Sequence, residues 1–313
     1  MAEHPSILAG ARNVPSRPHA TTLTPYGQWE NRAIRNHEQI REFCHFLAHE
    51  WGGNRQHSYA VPSRGKSSAW SRKVDGKWSA VGLADAVSKY DWNGKSFSES
   101  KAECDQFADD LRSAIQRNSN NDVCAILREI MHWGGVDNKH RQKRTFEWIE
   151  RNANEISAKL SNAIDLIKDE QASLDSFDGV NLLMNSTMTK IVSLADPEQR
   201  LVSYDGRVGG ALGFFVARFV EEREIHQYNV ADQLLFAVDR EAKRTPETNR
   251  IHFPALFGNA RDRCHASMVR WASQLIWQVA KECQASPREI EAALFMWGYN
   301  VMWGYKVAAE PEH

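Results

Sequence analysis

The stretch that most constrains this chain runs from Met184 to Arg218 (MNSTMTKIVSLADPEQRLVSYDGRVGGALGFFVAR), because it departs from the amphipathic helical pattern found elsewhere. A polar turn at Asn185, Ser186 and Thr187 leads to Lys190 and a short apolar run. Asp196-Pro197 breaks that run, and Leu201-Val202-Ser203-Tyr204 reads as extended. Asp205 then stands at the mouth of a long helix of small and apolar residues. An aspartate there is a natural N-cap, its carboxylate facing the free N–H groups of the first turn. Helix amides also keep such a carboxylate ionised and fix its direction, which is what opposing a developing positive charge requires.

A lysine at the start of a helix, a turn ahead of that helix, a return segment and a capping aspartate follow one another in an order that resembles the helix-hairpin-helix DNA glycosylases. Thr189-Lys190-Ile191-Val192 is similar to the segment where lyase-type members carry their nucleophilic lysine. Tyr204-Asp205-Gly206-Arg207-Val208 is similar to the segment carrying the catalytic aspartate. The resemblance spans Met184 to Arg218 of 313 residues. Asn185-Ser186-Thr187-Met188 stands in the place of the family's Gly-x-Gly hairpin, whose amides grip a DNA phosphate. The interval from Lys190 to Asp205 is shorter than usual by about one helical turn.

The resemblance implies a mainly α, two-lobed, glycosylase-like fold with one or two short β-hairpins and a cleft near residues 185–207. It implies excision of a damaged or modified base from DNA to leave an abasic site. Asp205 would stabilise the oxocarbenium-like sugar, and Lys190 would serve as an amine nucleophile at C1′. No metal or organic cofactor is implied, and the partner is DNA. Some bacterial relatives excise the modified bases of phage genomes in antiviral defence. Arg207, Asn185 and Thr187 are the nearby candidates for DNA contact, with Gly206, Gly209 and Gly210 admitting the DNA backbone. A flipped base needs aromatic walls, and the chain has 11 tryptophans to supply them.

Net charge is −1, so a nucleic-acid partner has to be met by local patches. Residues 54–79 hold Arg55, Arg64, Lys66, Arg72, Lys73 and Lys77 against one acid, Asp75, with Tyr59, Trp70 and Trp78 interleaved. They read as a DNA-facing loop, as a hairpin turning at Asp75-Gly76 with Trp70 and Trp78 across its strands, or as both. The run containing Lys139, Arg141, Lys143 and Arg144 is a second patch, or a solvated face.

Proline-rich residues 1–28 read as an extended arm, and residues 29–313 as the helical domain. Helices are expected over Asn31–Trp51, Ala80–Tyr90, Ser98–Arg117 with Ser98 as cap, Asp122–Trp133, Val230–Ala242 and Asp262–Gln284. Residues 152–170 read as a surface helix linking two lobes. Ser286-Pro287-Arg288-Glu289 is a capping box opening the last helix, whose end at Val301, Met302 and Trp303 is expected to be buried. Strand-like alternation is nearly confined to 57–82 and 200–204.

Five cysteines without a CxxC pair argue against structural zinc or a disulfide framework and fit a reducing cytoplasm. His37, His45 and His49 lack the glutamate of the zinc-protease arrangement and read as solvated or core-edge side chains. The N-terminus has no signal-peptide pattern, and no run approaches a membrane span, so a cytoplasmic monomer without a membrane partner is expected. Clustered acids for two-metal chemistry, GK[ST] and GxSxG are all absent. The competing reading is a non-catalytic all-α DNA-binding or scaffold protein in which Asp205 is only a cap.

Overall fold

A helix that is apolar on all sides has to be covered on all sides. Gly206–Glu222 is such a helix: Val208, Ala211, Leu212, Phe214, Phe215, Val216, Ala217, Phe219 and Val220 are all buried. The computed structural model describes residues 37–63, 67–135, 142–239, 241–246, 248, 250–256 and 261–302. The expected arm over 1–28 lies outside them. In chain order the elements are α1 (His37–Trp51), β1 (Gln56–Ala60), α2 (Ser68–Lys73), β2 (Lys77–Val81), α3 (Gly82–Ser88), α4 (Phe97–Gln116) and α5 (Asn120–Trp133). There follow α6 (Lys143–Arg151), α7 (Ile156–Lys168), α8 (Ser186–Ala195), α9 (Gly206–Glu222), α10 (Arg261–Cys283) and α11 (Pro287–Trp297). The protein is mainly α with one small antiparallel hairpin among the described residues.

The central helix α9 packs on α1 and α11, and α11 packs in turn on α3 and α10. A second set, α4, α5, α7 and α8, packs on itself, and α10 touches both sets through α7 and α8. Hydrogen bonds fix that bridge. The buried Arg270 of α10 donates to the carbonyls of Leu166, Ile167 and Ala172 around the end of α7. The hairpin pairs Tyr59 with Trp78, whose rings stack at 4.7 Å. It docks on the end of α11, where Tyr59 Oη donates to the Met296 carbonyl and His57 Nε2 meets the Trp297 carbonyl. Those free carbonyls of the last turn are thereby satisfied.

Several expectations are corrected. Trp70 lies on α2 rather than on a strand, and Asp75-Gly76, both at positive φ, end that helix before β2. Ala80 belongs to β2, so α3 starts later than expected. Ser96, not Ser98, caps α4, through a capping box with Glu99. The helix in 152–170 is no surface linker, because Ile156, Leu160, Ile164 and Ile167 bury one face of α7 against its neighbours. The described residues of 230–242 (230–239, 241 and 242) form short 3-10 turns and non-helical backbone instead of an α-helix. Tyr204 Oη and the backbone of Pro254 and Leu256 take up hydrogen-bonding groups there, which a helix would have satisfied internally. The segment 201–204 is extended but joins no sheet. Its N–H groups go to side chains: Leu201 to Asp196, Val202 to Ser273, Ser203 to Glu291 and Tyr204 to Thr189. At the C-terminal end Val301 is buried, whereas Met302 is exposed and Trp303 lies outside the described residues.

Close packing of α9 against α11 depends on Gly298, where a Cβ would come within 1.8 Å of the Arg207 carbonyl oxygen. Gly298→Ala is therefore expected to cost about 3 kcal/mol in urea denaturation, the upper range for overpacking. At Gly52, where a Cβ meets nothing within 4 Å, the same change should stay within about 0.5 kcal/mol. Equal losses at the two sites would contradict this packing.

Candidate active site

The site is built on one hydroxyl. Thr189, fully buried on α8, accepts from the Tyr204 N–H and lies 3.1 Å from the Tyr204 carbonyl oxygen. This clamp ties α8 to the extended segment, and the next residue on each side is one of the expected pair. Lys190 Nζ lies 3.5 Å from Asp205 Oδ2, with the two side chains 19% and 15% exposed. Asp205 Oδ1 accepts from the N–H groups of Arg207 and Val208, so Asp205 caps α9. Burial would raise its pKa. Lys190 first, then Arg207, the Val208 N–H and Arg244, instead bring the carboxyl below its ordinary value. The group is an oriented carboxylate at neutral pH. The turn before it is fixed by Asp196, fully buried, which accepts from the N–H groups of Glu198, Arg200 and Leu201.

Beside this pair opens a cleft holding about 720 Å³ of non-protein space, its mouth included. Lys190, Ser203 and Val208 are among its lining residues. Its walls are aromatic: Tyr90, Trp92, Phe97, Trp133 and Phe295. Trp92 approaches both Trp133 and Phe295, at 6.3 and 5.5 Å between ring centres. On the α11 side, Arg288 donates to Glu291 Oε2 at 2.9 Å and to the Ser193 carbonyl at 3.0 Å. Glu291 Oε2 also accepts the Ser203 N–H.

Arg207 extends into an aromatic nest, its guanidinium carbon 4.2 Å from the Phe295 ring centre, 4.8 Å from Tyr299 and 5.8 Å from Trp92. Burial lowers its pKa, against the pull of Asp205. The α9 glycines do not wait for DNA. A Cβ at Gly206 would strike Asp239, at Gly209 the Ala237 carbonyl and at Gly210 the Arg244 carbonyl, so the chain's own Ala237, Asp239 and Arg244 occupy that face.

The other expected contacts fall into three groups. Asn185 caps α8, its Oδ1 accepting from Thr187 and Met188, and its Nδ2 donates to Thr145 on α6. The self-cap takes amides that a phosphate would otherwise use. Thr187 is buried, with its hydroxyl 3.2 Å from Gln142 Oε1. Arg144 pairs with the buried Asp262, which also accepts the Met184 N–H, so this arginine anchors the start of α10. Lys73 pairs with Asp91, while Arg72 and Lys143 are exposed. Arg64, Lys66, Lys139 and Arg141 lie outside the described residues. Lys73, Lys143 and Arg144 thus form ion pairs within the protein, and none of Arg72, Lys73, Lys143 and Arg144 lines the cleft.

Trp92, Trp133, Phe295, Arg288 and Glu291 were missed as site residues. The only sequence signal was the Arg288-to-Glu291 spacing, which puts opposite charges on one helical face. Among the described residues no group of three or more His, Cys, Asp or Glu side chains is placed to hold a metal ion, and no helix is long and apolar enough to cross a membrane. Compared with protein-family models, curated proteins and solved structures, the chain matches none.

Arg144 and Lys143 separate anchoring from solvated charge. Arg144→Ala leaves Asp262, only 3% exposed, without its main partner and should cost about 3 kcal/mol in urea denaturation. Lys143→Ala, at a side chain 74% exposed, should change stability by about 0.5 kcal/mol or less. Unchanged stability in Arg144→Ala together with weaker DNA binding would instead make Arg144 a DNA contact.

Proposed function

We propose that the chain is a DNA glycosylase that releases a damaged or modified base and leaves an abasic site, working in the cytoplasm without a metal or organic cofactor. The observation that carries this reading is an aromatic cleft lined by Lys190, whose ammonium group pairs with Asp205 behind it. A planar base turned out of the helix stacks against indole and phenyl faces of the kind that line the cleft. Its sugar then faces Lys190. As the bond from C1′ to the base breaks, positive charge grows on the sugar, and the capped carboxylate of Asp205 opposes it. Lys190 can add to C1′ as an amine once a proton is lost, giving a Schiff base, or it can steer a water to the same carbon. Arg207, with no hydrogen-bond or ion-pair partner among the described residues, is the remaining cation near the site for a DNA phosphate.

The competing reading, a non-catalytic DNA-binding or scaffold protein, draws on Asp205 Oδ1 serving as the cap of α9. Asp205→Asn separates the two, because asparagine caps about as well as aspartate but carries no charge. The variant should fold, with stability changed by about 1 kcal/mol, and bind DNA. Release of base from DNAs carrying damaged bases, or bases modified as in phage genomes, should fall by about a hundredfold or more. Full base release by Asp205→Asn, or none by the wild type on any DNA, would favour the non-catalytic reading. With Lys190 as nucleophile, borohydride traps the wild type on DNA but not Lys190→Gln. With water as nucleophile, neither is trapped.

A further inference from the structure

The cleft holds a second carboxyl group that the chemistry described so far does not use. Glu291 sits one turn after Arg288 on α11, its side chain 16% exposed, and lines the cleft together with Lys190, Ser203 and the aromatic walls. Both of its hydrogen bonds, from Arg288 and from the Ser203 N–H, fall on Oε2. Among the described residues Oε1 has no hydrogen-bond partner, nor is it a sealed, unsatisfied atom, so it is the oxygen left to the cleft. Ser203 stands two residues before Asp205, so one short segment holds the capped carboxylate at one end and touches the second carboxyl at the other.

We infer that Glu291 is the proton donor to the departing base. This rests on the glycosylase reading and deepens it. The C1′–N bond breaks and its electron pair leaves with the base. The Glu291 proton passes to a ring nitrogen or exocyclic oxygen of that base, which departs neutral. The resulting Glu291 carboxylate is held by Arg288 and the Ser203 N–H. Water adds to C1′ and gives up a proton to solvent, and solvent reprotonates Glu291. Asp205 stays ionised throughout.

The surroundings suit that division of labour. Burial raises the pKa of Glu291, against Arg288 and the Ser203 N–H, and the charge on Asp205 raises it further. The carboxyl group of Asp205 is shifted the other way. With Glu291 shifted up and Asp205 shifted down, Glu291 is the readier proton donor of the two. The other titratable groups around Glu291 are Tyr90 after α3, Lys101 and Cys104 on α4, and Lys190 on α8. Burial raises both the Tyr90 phenol and the Cys104 thiol, the latter to about 11, so neither competes as a donor near neutrality.

The test is single-turnover base release from pH 5 to 9 by wild type, Glu291→Gln and Asp205→Asn on one panel of modified DNAs. A lost general acid typically costs on the order of a hundredfold or more. Wild-type rates should fall on the alkaline side, as Glu291 loses its proton. Glu291→Gln should lose about that factor at neutral pH and lack the alkaline fall. Its deficit should shrink for bases that leave readily as anions. A Glu291→Gln profile that keeps the alkaline fall, or an equal loss on every base, overturns the assignment while leaving the glycosylase reading intact. A wild type inactive on every DNA, or a fully active Asp205→Asn, overturns the reading beneath it. Should Glu291→Gln not fold, carboxyl-carbon NMR of wild-type protein decides. Titration of Glu291 above the ordinary glutamate value supports the assignment, and titration at or below it overturns the assignment.

Discussion

Everything at the site depends on the bond between the Thr189 hydroxyl and the backbone of Tyr204. Lys190 belongs to α8 and Asp205 caps α9, so their meeting is a matter of how two helices are tied. The buried Thr189 hydroxyl accepts the Tyr204 N–H and has the carbonyls of Ser186 and Tyr204 as acceptors at 3.0 and 3.1 Å, which fixes the tie between α8 and the extended segment. Tyr204 then reaches the other way, its hydroxyl donating to the Ala237 carbonyl at 2.6 Å. One residue thus connects α8, the mouth of α9 and the irregular 230–246 segment.

On the proposed reading the same parts serve structure and chemistry. An N-cap must be an oriented acceptor, and a group that opposes growing positive charge must be an oriented anion. Asp205 meets the first demand through Oδ1 and keeps Oδ2 for Lys190. Glu291 repeats the economy on α11, with Oε2 holding the chain at Ser203 and Oε1 left open. Aromatic rings do likewise: Phe295 forms cleft wall on one side and meets the Arg207 guanidinium.

Legibility followed the range of the interactions. The Asp205 cap, the Ser286 capping box and the helical stripes are local, and the sequence displays them plainly. Ser96 and Ser98 both precede the α4 pattern, and only the reciprocal bond with Glu99 separates them. The extended 201–204 segment looked like a strand because alternation records burial and does not record the bonding partner. Its partners are side chains from α8, α10 and α11, far apart in sequence. Residues 230–242 have the apolar content of a helix but bond to Tyr204, Met268, Pro254 and Leu256 instead. The cleft walls come from four separate regions of the chain, so no window of sequence brings Trp92, Trp133, Glu291 and Phe295 together.

The most direct measurement is a crystal structure of Asp205→Asn bound to DNA carrying a base that the wild type releases, with a 2′-fluoro sugar to slow any residual reaction. The base should be turned out of the helix and stacked among Trp92, Trp133 and Phe295, with its C1′ facing Lys190 and position 205 and an edge within hydrogen-bond reach of Glu291. A base still stacked in the DNA beside an empty cleft, or DNA held on another face of the protein, would contradict the central claim.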